Sequence, residues 1–554
     1  MPVCPYTTAT LEESRAWSLL SQQPLSCWLL EACASARTLL VLGDGDLSFS
    51  LALARLLASA SARPRPDRQQ RLLLLATTLD SREALQRRYG LERMSAVWAA
   101  LDDMSTRDGG SCIRVLDAID ATALVASLGR HGLHVADDAI ASIDLVVWQF
   151  PHPGGKNKPC RSRALLRACF QSVRQLAPRA SVLMTLARGQ GGTPIDLHFG
   201  DRKLYAYKNS WQIVEQAASA SYTLARLHPF DAATFDGYRS SGRRETAQSF
   251  HTSLALSHVF QPALHTVHEL LADPSRQLAP HHWLEQQLAL QQTLPDTHPL
   301  TRIAASVRDA LASRECHCSS IVARVREHLL DDLAKYPPIT HLLVVRSTTG
   351  HLHDAVREWM HQHVLCDECS FEWHQHEHLV VTAPLSSDLA PHFDGCIVAR
   401  ATHLASEVEI DLDLLAAMVL RISDARVLHS PSFEQATITA PPSLFAPVHV
   451  HDVSFWILER DAFTDTLFRL LVWQLSLMNA VHISLIDQFE HPTTRRLSRC
   501  YRIIYKALGA MALDAKASNA LQDSLRELLA RYLPIELRGG PTATTTTTTT
   551  QVGL

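Results

Sequence analysis

No run of apolar side chains in this 554-residue sequence approaches the roughly 20 needed to cross a bilayer, so no membrane-spanning segment is expected. An excess of one charge is also missing. The 52 basic and 56 acidic side chains leave a net charge of −4, so any surface for a polyanion must be a local patch. Residues 1–17 contain Glu12 and Glu13 and no signal-like apolar core, which argues against secretion. Twelve cysteines over this length form no dense framework and suit a reducing compartment. These absences imply a soluble intracellular chain of roughly two to four domains.

What is present begins at residue 39. Leu39-Leu40-Val41-Leu42 reads as a buried strand, Gly43-Asp44-Gly45-Asp46 as a turn, and Leu47 onward as a helix. A glycine-punctuated strand-to-helix turn is the shape of a nucleotide-cofactor loop, because glycine admits positive φ and close backbone approach to a ligand. The third glycine of the usual fingerprint is missing and Ser48 stands near its place; no phosphate-gripping Lys follows, which argues against a P-loop. About 30 residues on, a second strand ends at Asp80, the position from which an acid accepts hydrogen bonds from ribose hydroxyls. Asp80 also fits a turn acid or helix cap. Asp120, past the third strand region, fits an adenine contact and a helix cap equally.

Strand-like stretches at 38–42, 72–78, 113–116, 143–150, 181–186 and 222–228 alternate with amphipathic stretches at 82–89, 122–128 and 164–176. This order predicts a mainly parallel sheet covered on both faces, an α/β Rossmann-like domain over residues 36–262. Its fourth strand runs into Gln149-Phe150-Pro151-His152-Pro153-Gly154-Gly155-Lys156, in the crevice where such sheets bind ligands. Gln149 offers an amide to a base edge, Phe150 a ring for stacking and His152 a proton acceptor, while Lys156 adds a positive lip for a phosphate-bearing substrate. A rigid turn with His152 as a structural hydrogen-bonder is the plainer alternative.

These motifs, in this order, resemble the Rossmann-like domain of the large-subunit rRNA uridine-N3 methyltransferase family; Ile119-Asp120-Ala121-Thr122, Phe235-Asp236-Gly237-Tyr238 and His258-Val259-Phe260 add to the likeness. The resemblance implies a class I methyltransferase domain with S-adenosyl-L-methionine as cofactor. Gly43, Asp44, Gly45, Ser48, Asp80 and Asp120 would hold the cofactor, and Gln149, Phe150 and His152 would be the catalytic face toward an RNA base. Where that family has Asn-Phe-Pro-His, this chain has Gln149, one methylene longer. The implied compartment is the cytoplasm, with the nucleolus as the alternative.

Residues 263–444 form an α/β region with strands expected at 340–346 and 378–383 and no assignable chemistry. Cys366 and Cys369 have zinc-ligand spacing with histidines around them. There is no second such pair and the chain carries 29 histidines, so no metal is expected. From residue 445 a βαββαβ order emerges: strands 452–458, 481–489, 500–506 and 535–538, helices 462–474 and 519–532. This ferredoxin-like α+β module, 445–538, resembles the ferredoxin-fold anticodon-binding domain that closes phenylalanyl-tRNA synthetase chains. Arg495, Arg496, Arg499, Tyr501 and Arg502 are its expected RNA-binding run, cations for phosphates interleaved with aromatics for bases. The threonine-rich stretch within 539–554 is expected to be disordered. The whole pairing resembles a two-domain class named for its anticodon-binding module, with structured RNA (rRNA or tRNA) as the implied partner. A non-catalytic RNA-binding protein on a methyltransferase-like scaffold is the competing expectation.

Overall fold

The computed structural model describes residues 23–61, 72–106, 112–154, 158–198, 207–240, 252–272, 299–312, 314–325, 339–347, 351–363, 370–382, 396–401, 406–420, 428, 443–477, 479–507 and 511–538. Two compact units divide the chain at residue 263.

In the N-terminal unit, α1 (Leu25–Ser35) leads into β1 (Thr38–Leu42), α2 (Ser48–Ser61), β2 (Leu73–Thr77), α3 (Arg82–Tyr89), α4 (Leu91–Thr106) and β3 (Cys112–Leu116). Then come α5 (Leu124–Gly129), α6 (Asp138–Ala141), β4 (Ile143–Gln149), α7 (Pro159–Leu176), β5 (Ser181–Leu186), α8 (Pro194–His198), α9 (Ile213–Ala218), β6 (Tyr222–Pro229) and β7 (Leu256–Pro262). The sheet order is β3-β2-β1-β4-β5-β7-β6. Neighbours from β3 to β5 are parallel, and β7 inserts antiparallel between β5 and β6. This is the class I methyltransferase arrangement expected from the sequence; β7 is an addition to the six expected strands. All five residues of β1 are buried, as a strand covered on both faces requires. Leu39, Val41, Leu145, Val147 and Leu183 build one core layer with Phe49, Phe230 and Phe235, each such side chain contributing about 1.5–3 kcal/mol on burial.

The second unit holds two main sheets. β9 (Cys316–Val325), β10 (Ile339–Ser347), β11 (Ser370–His374), β12 (His378–Thr382), β13 (Ile397–Ala401) and β14 (Glu407–Asp411) form an antiparallel sheet of order β11-β12-β13-β14-β10-β9. Helices α11 (Pro299–Ala312), α12 (Leu352–His363) and α13 (Leu412–Val419) share its core through Val307, Trp359, Met360 and Leu415. Only two of these strands were legible in the sequence. The Asp411 carboxylate starts α13 by accepting the backbone N–H groups of Asp413 and Leu414, a cap worth about 1 kcal/mol.

The C-terminal sheet has order β16-β17-β15-β19, built from β15 (Val448–Ile457), β16 (Ala480–Glu490), β17 (Leu497–Lys506) and β19 (Ile535–Leu537). Helices α14 (Asp465–Leu475) and α15 (Ala515–Tyr532), capped by Thr464 and Asp514, pack on one face and complete βαββαβ. The helix expected to start at 462 starts instead behind its Thr464 cap. Residues N-terminal to this module join it: β8 (His265–Thr266) pairs with β18 (Met511–Ala512), and α10 (Val267–Ala272) supplies Val267 and Leu270 to the same core. Among the described residues no helix is long and apolar enough to cross a membrane.

Candidate cofactor and base site

The glycine turn closes β1 at the carboxyl edge of the parallel sheet. Gly43 has φ +59°, and a Cβ there would sit 2.7 Å from Nε1 of Trp148, the β4 residue opposite Leu42. Only glycine fits both the conformation and the space. Three non-glycine residues just past strand ends also have positive φ: Leu47 (59°), Ala118 (52°) and Phe150 (50°). Uncommon backbone of this kind gathers where a site fixes geometry. Here it marks the ends of β1, β3 and β4, the edge on which a doubly wound sheet carries its ligand.

The two acids of the turn differ sharply. Asp46 is 1% exposed, its Oδ1 accepts the Ser48 N–H at 3.1 Å, and its other oxygen is ion-paired with Arg93 of α4. Asp46 therefore starts α2 and is electrostatically satisfied. Asp44 is 9% exposed and accepts the Ser50 N–H at 2.6 Å. No Lys, Arg or His among the described residues pairs with it. Burial first, and then the neighbouring Asp46, push its carboxyl up to about 7.

Asp80 is ion-paired with Arg88 of α3. The cap of α3 is Ser81, whose hydroxyl accepts the Ala84 N–H, so Asp80 is not the capping residue. Asp120 does not cap α5, which starts behind Ala123 with no side-chain cap; its Oδ1 accepts both the N–H and the hydroxyl of Thr122, at 2.8 and 2.7 Å, closing a local turn ahead of that helix. The Ser48 hydroxyl donates to the Arg239 carbonyl at 3.3 Å, which ties the turn to the segment after β6. That segment continues over α2. Arg55 pairs with Asp236 at 3.6 Å, and Tyr238 sets its ring edge-on to Phe49 and Phe230 at 5.6 and 5.9 Å. Burial, then Asp44 and Asp46, raise the Tyr238 phenol. Arg88, Arg93 and Tyr238 were not singled out from the sequence as site residues; Arg88 and Arg93 carried no local signal for pairing with acids 8 and 47 positions away.

On the base side, Gln149 closes β4 beside Thr185 of β5. Both side-chain amide atoms of Gln149 are buried and have no hydrogen-bond partner among the described residues. A buried orphan amide is costly, roughly 1–3 kcal/mol, and is uncommon unless a ligand completes it. The Phe150 N–H donates to the Thr185 carbonyl at 2.9 Å and its ring meets Phe230 edge-on at 5.2 Å. His152 is exposed, with Nδ1 accepting the Gly154 N–H at 2.9 Å. Lys156 and its neighbour Gly155 lie outside the described residues. The described residues also line a half-open pocket of about 490 Å3, among them Thr78, Arg82, Trp98, Val115 and Asp117; no residue of the glycine turn lines it.

The expected RNA-binding run of the C-terminal module is divided by the strand's alternation. Tyr501 is 0% exposed, packed on Phe468 at 4.2 Å and Phe455 at 5.9 Å, and its hydroxyl donates to Asp465. The expectation that Tyr501 stacks bases is therefore corrected: opposite Val453 on β15, it faces the helices. Arg499 points the same way, its side chain 19% exposed, paired with Asp465 and bonded to Gln488 at 3.1 Å. It locks α14 to the sheet. Arg502 is outward but engages Asp452 through both oxygens, at 2.9 and 3.0 Å. Arg496 pairs with Glu536 and lies over Trp456; Arg495, 78% exposed, pairs with Glu490 at 2.8 Å. Cys366 and Cys369 lie outside the described residues, among which no group of three or more potential ligands is placed to hold a metal.

Comparison with known proteins agrees with this division. Residues 40–242 match the family model described as "BMT5-like: rRNA (uridine-N3-)-methyltransferase BTM5-like". The mouse (Mus musculus) ferredoxin-fold anticodon-binding domain-containing protein 1 homolog is 24% identical, covering 77% of this chain and 91% of its own; the human (Homo sapiens) protein is 24% identical over 83% and 96%. A yeast (Saccharomyces cerevisiae) mitochondrial phenylalanine--tRNA ligase is 30% identical over 26% of this chain and 34% of its own. Among solved structures, a 16S rRNA (adenine(1408)-N(1))-methyltransferase from Catenulisporales acidiphilia aligns with a TM-score of 0.22 at 17% identity, over 45% of this chain and 97% of its own. The chain thus carries a BMT5-like methyltransferase domain, and over most of its length it is similar to proteins with a ferredoxin-fold anticodon-binding domain.

Proposed function

We propose that this protein is an S-adenosylmethionine-dependent methyltransferase acting on an RNA base, with uridine N3 as the acceptor. The observation that carries the reading is Asp44. A buried carboxylate with no cation among the described residues is unfavourable unless a ligand supplies the charge. A cofactor with an α-ammonium and a sulfonium fits this demand, whereas a dinucleotide would bring phosphates to it. The same turn has Asp46 already neutralised by Arg93, so Asp44 is the acid left for the ligand. Gly43 keeps the backbone open beside Trp148.

When bound, S-adenosylmethionine supplies an electrophilic methyl group on a sulfonium. The chain's part is to hold and to orient. Gln149 offers one donor pair and one acceptor to a base edge, completing its own orphan amide. The rings of Phe150, Phe230 and Tyr238 form an apolar surround, in which alignment of acceptor and donor supplies much of the rate gain. Nδ1 of His152 accepts the Gly154 N–H, which fixes the ring against its own loop. The base must be unpaired or flipped to enter.

The non-catalytic alternative draws support from one contact. Arg88 already holds Asp80, so a ribose contact there requires that pair to open. Isothermal titration of the full chain with S-adenosylmethionine decides the cofactor: micromolar binding is expected, and none at millimolar ligand overturns the reading. Nucleoside mass spectrometry of rRNA and tRNA from cells lacking the protein decides the reaction, with loss of 3-methyluridine expected.

A further inference from the structure

Gly43 does more than relax the backbone, because of what faces it. The Trp148 ring presents its N–H edge to the turn: a Cβ on Gly43 would lie 2.7 Å from Nε1 and 3.5 Å from each carbon bonded to that nitrogen. The side chain is 7% exposed, and its N–H has no acceptor among the described residues. A buried indole N–H normally finds one, as Trp373 does at the His353 carbonyl, 3.0 Å away. Several other donors around the turn are already spent. The Asp44 N–H goes to the Thr77 carbonyl, the Leu47 N–H to the Asp44 carbonyl, the Ser48 N–H to Asp46 and the Ser50 N–H to the Asp44 carboxylate. The N-terminus of α2, which in a dinucleotide fold would take an anion, is thus occupied by the chain's own carboxylates. Beside Gly43, among the described residues, stand one buried carboxylate without a cation and one buried N–H without an acceptor.

We infer that the Trp148 indole N–H receives the carboxylate at the amino-acid end of S-adenosylmethionine, across the turn from Asp44, which receives the ammonium. A zwitterion is the ligand chemistry that satisfies both groups at once. An ammonium alone would leave the N–H buried and unpaired, at the full desolvation cost of that group. An anion alone would meet Asp44 with the first N–H groups of α2 already taken. Glycine at 43 belongs to the same arrangement. Any side chain there would cover the N–H, so the ligand as well as the φ of +59° requires its absence. Trp148 thereby sets which cofactor binds and takes no part in the transfer itself.

This inference rests on the reading that the cofactor is S-adenosylmethionine, and the test keeps the two apart. The full chain is titrated calorimetrically at pH 8, where Asp44 is largely ionised. The ligands are S-adenosylmethionine and its decarboxylated analogue, which keeps the ammonium and the sulfonium. The wild type is expected to bind the analogue about tenfold more weakly. Trp148→Phe is expected to lose that preference, binding S-adenosylmethionine about tenfold more weakly and the analogue unchanged. Equal loss for both ligands makes the indole a packing element and overturns the inference, while the cofactor reading stands. A wild type that binds both alike overturns it in the same way. If the wild type binds neither, both readings fall. Where Trp148→Phe lacks a cooperative urea transition, the comparison is made with the indole exchanged for benzothiophene, which keeps the ring shape and replaces the N–H by sulfur. A preference that survives that exchange overturns the inference, and its loss upholds it.

Discussion

The glycine turn of the N-terminal unit and the arginine-rich strand of the C-terminal sheet treat charge in opposite ways. At the turn, one of two closely spaced acids is buried with no cation among the described residues, and the side-chain amide of a neighbouring glutamine has no hydrogen-bond partner among them. On the strand, Arg499 and Arg502 are each satisfied by an aspartate, and the aromatic between them is core. A dense run of charges is the louder sequence signal, but a fold readily consumes it in its own ion pairs. The quieter site, where the protein does not finish its own bonding, is the better candidate for a ligand.

The sharpest way to break this contrast is Tyr501→Ala. If Tyr501 is core, as its stacking on Phe455 and Phe468 requires, the substitution should cost about 3–5 kcal/mol of C-terminal domain stability, read by urea unfolding. A surface aromatic would cost within about 0.5 kcal/mol, and that outcome would return Tyr501 to the list of RNA contacts.

Asp44→Asn is expected to act in two directions. Because burial raises the folded carboxyl to about 7, the folded state binds its proton more tightly than the unfolded chain does. The stability this contributes is fully present below the ordinary carboxyl value and is lost as pH rises through about 7, a loss on the order of 4 kcal/mol in the absence of ligand. Asparagine carries no such titration, so the variant should be the more stable protein at pH 8 in calorimetry. For the cofactor the sign reverses. A cationic group binds the ionised carboxylate, so wild-type affinity should fall about tenfold per pH unit below 7, while Asp44→Asn binds weakly and without that slope. A sloping profile in the variant would assign the titration elsewhere.

How much of this was legible follows the range of each interaction. Gly43, the β1–α2 turn and the strand–helix alternation are set within a few residues, and the sequence shows them. Asp120 is bound locally, to Thr122, but its partner depends on backbone direction at the turn, whereas the Ser48 hydroxyl is held by Arg239, 191 positions on, with no local signature. The partners of Asp46 and Asp80 come from α4 and α3 and have no local signature. The parity of β17 was the decisive gap. Ser498-Arg499-Cys500-Tyr501-Arg502-Ile503-Ile504-Tyr505 mixes polar and apolar side chains on both parities, and only pairing with β15 sends Tyr501, Ile503 and Tyr505 inward. In the middle sheet the missed strands β11, β13 and β14 are five residues each, too short to display an alternation, and β9 is ten residues long but opens on Cys-His-Cys-Ser-Ser, with no apolar run to mark it.

Gln149→Ala sharpens the contrast from the other side. Removing an amide that has no partner relieves a desolvation cost, so ligand-free stability should change by less than about 1 kcal/mol or rise. Methyl transfer to RNA should fall by roughly tenfold to a hundredfold if that amide orients the base. A variant that loses stability and keeps its activity would make Gln149 a structural residue.

The smallest expected effect belongs to Arg502→Ala. Its side chain and that of Asp452 are each nearly half exposed, and although the geometry is bidentate the pair sits in water and is screened by salt. Unfolding should move by no more than about 1 kcal/mol, and the difference should shrink in high salt. RNA affinity is the informative axis. If Arg502 is committed to Asp452, its loss should leave the salt slope of RNA binding where it was, whereas removing Asp452 should release the guanidinium and steepen that slope. A drop of about one in the slope for Arg502→Ala would mean that RNA competes successfully for a cation the free protein keeps paired. The boundary between the arginines the fold uses and those a ligand uses would then run through this pair instead of beside it.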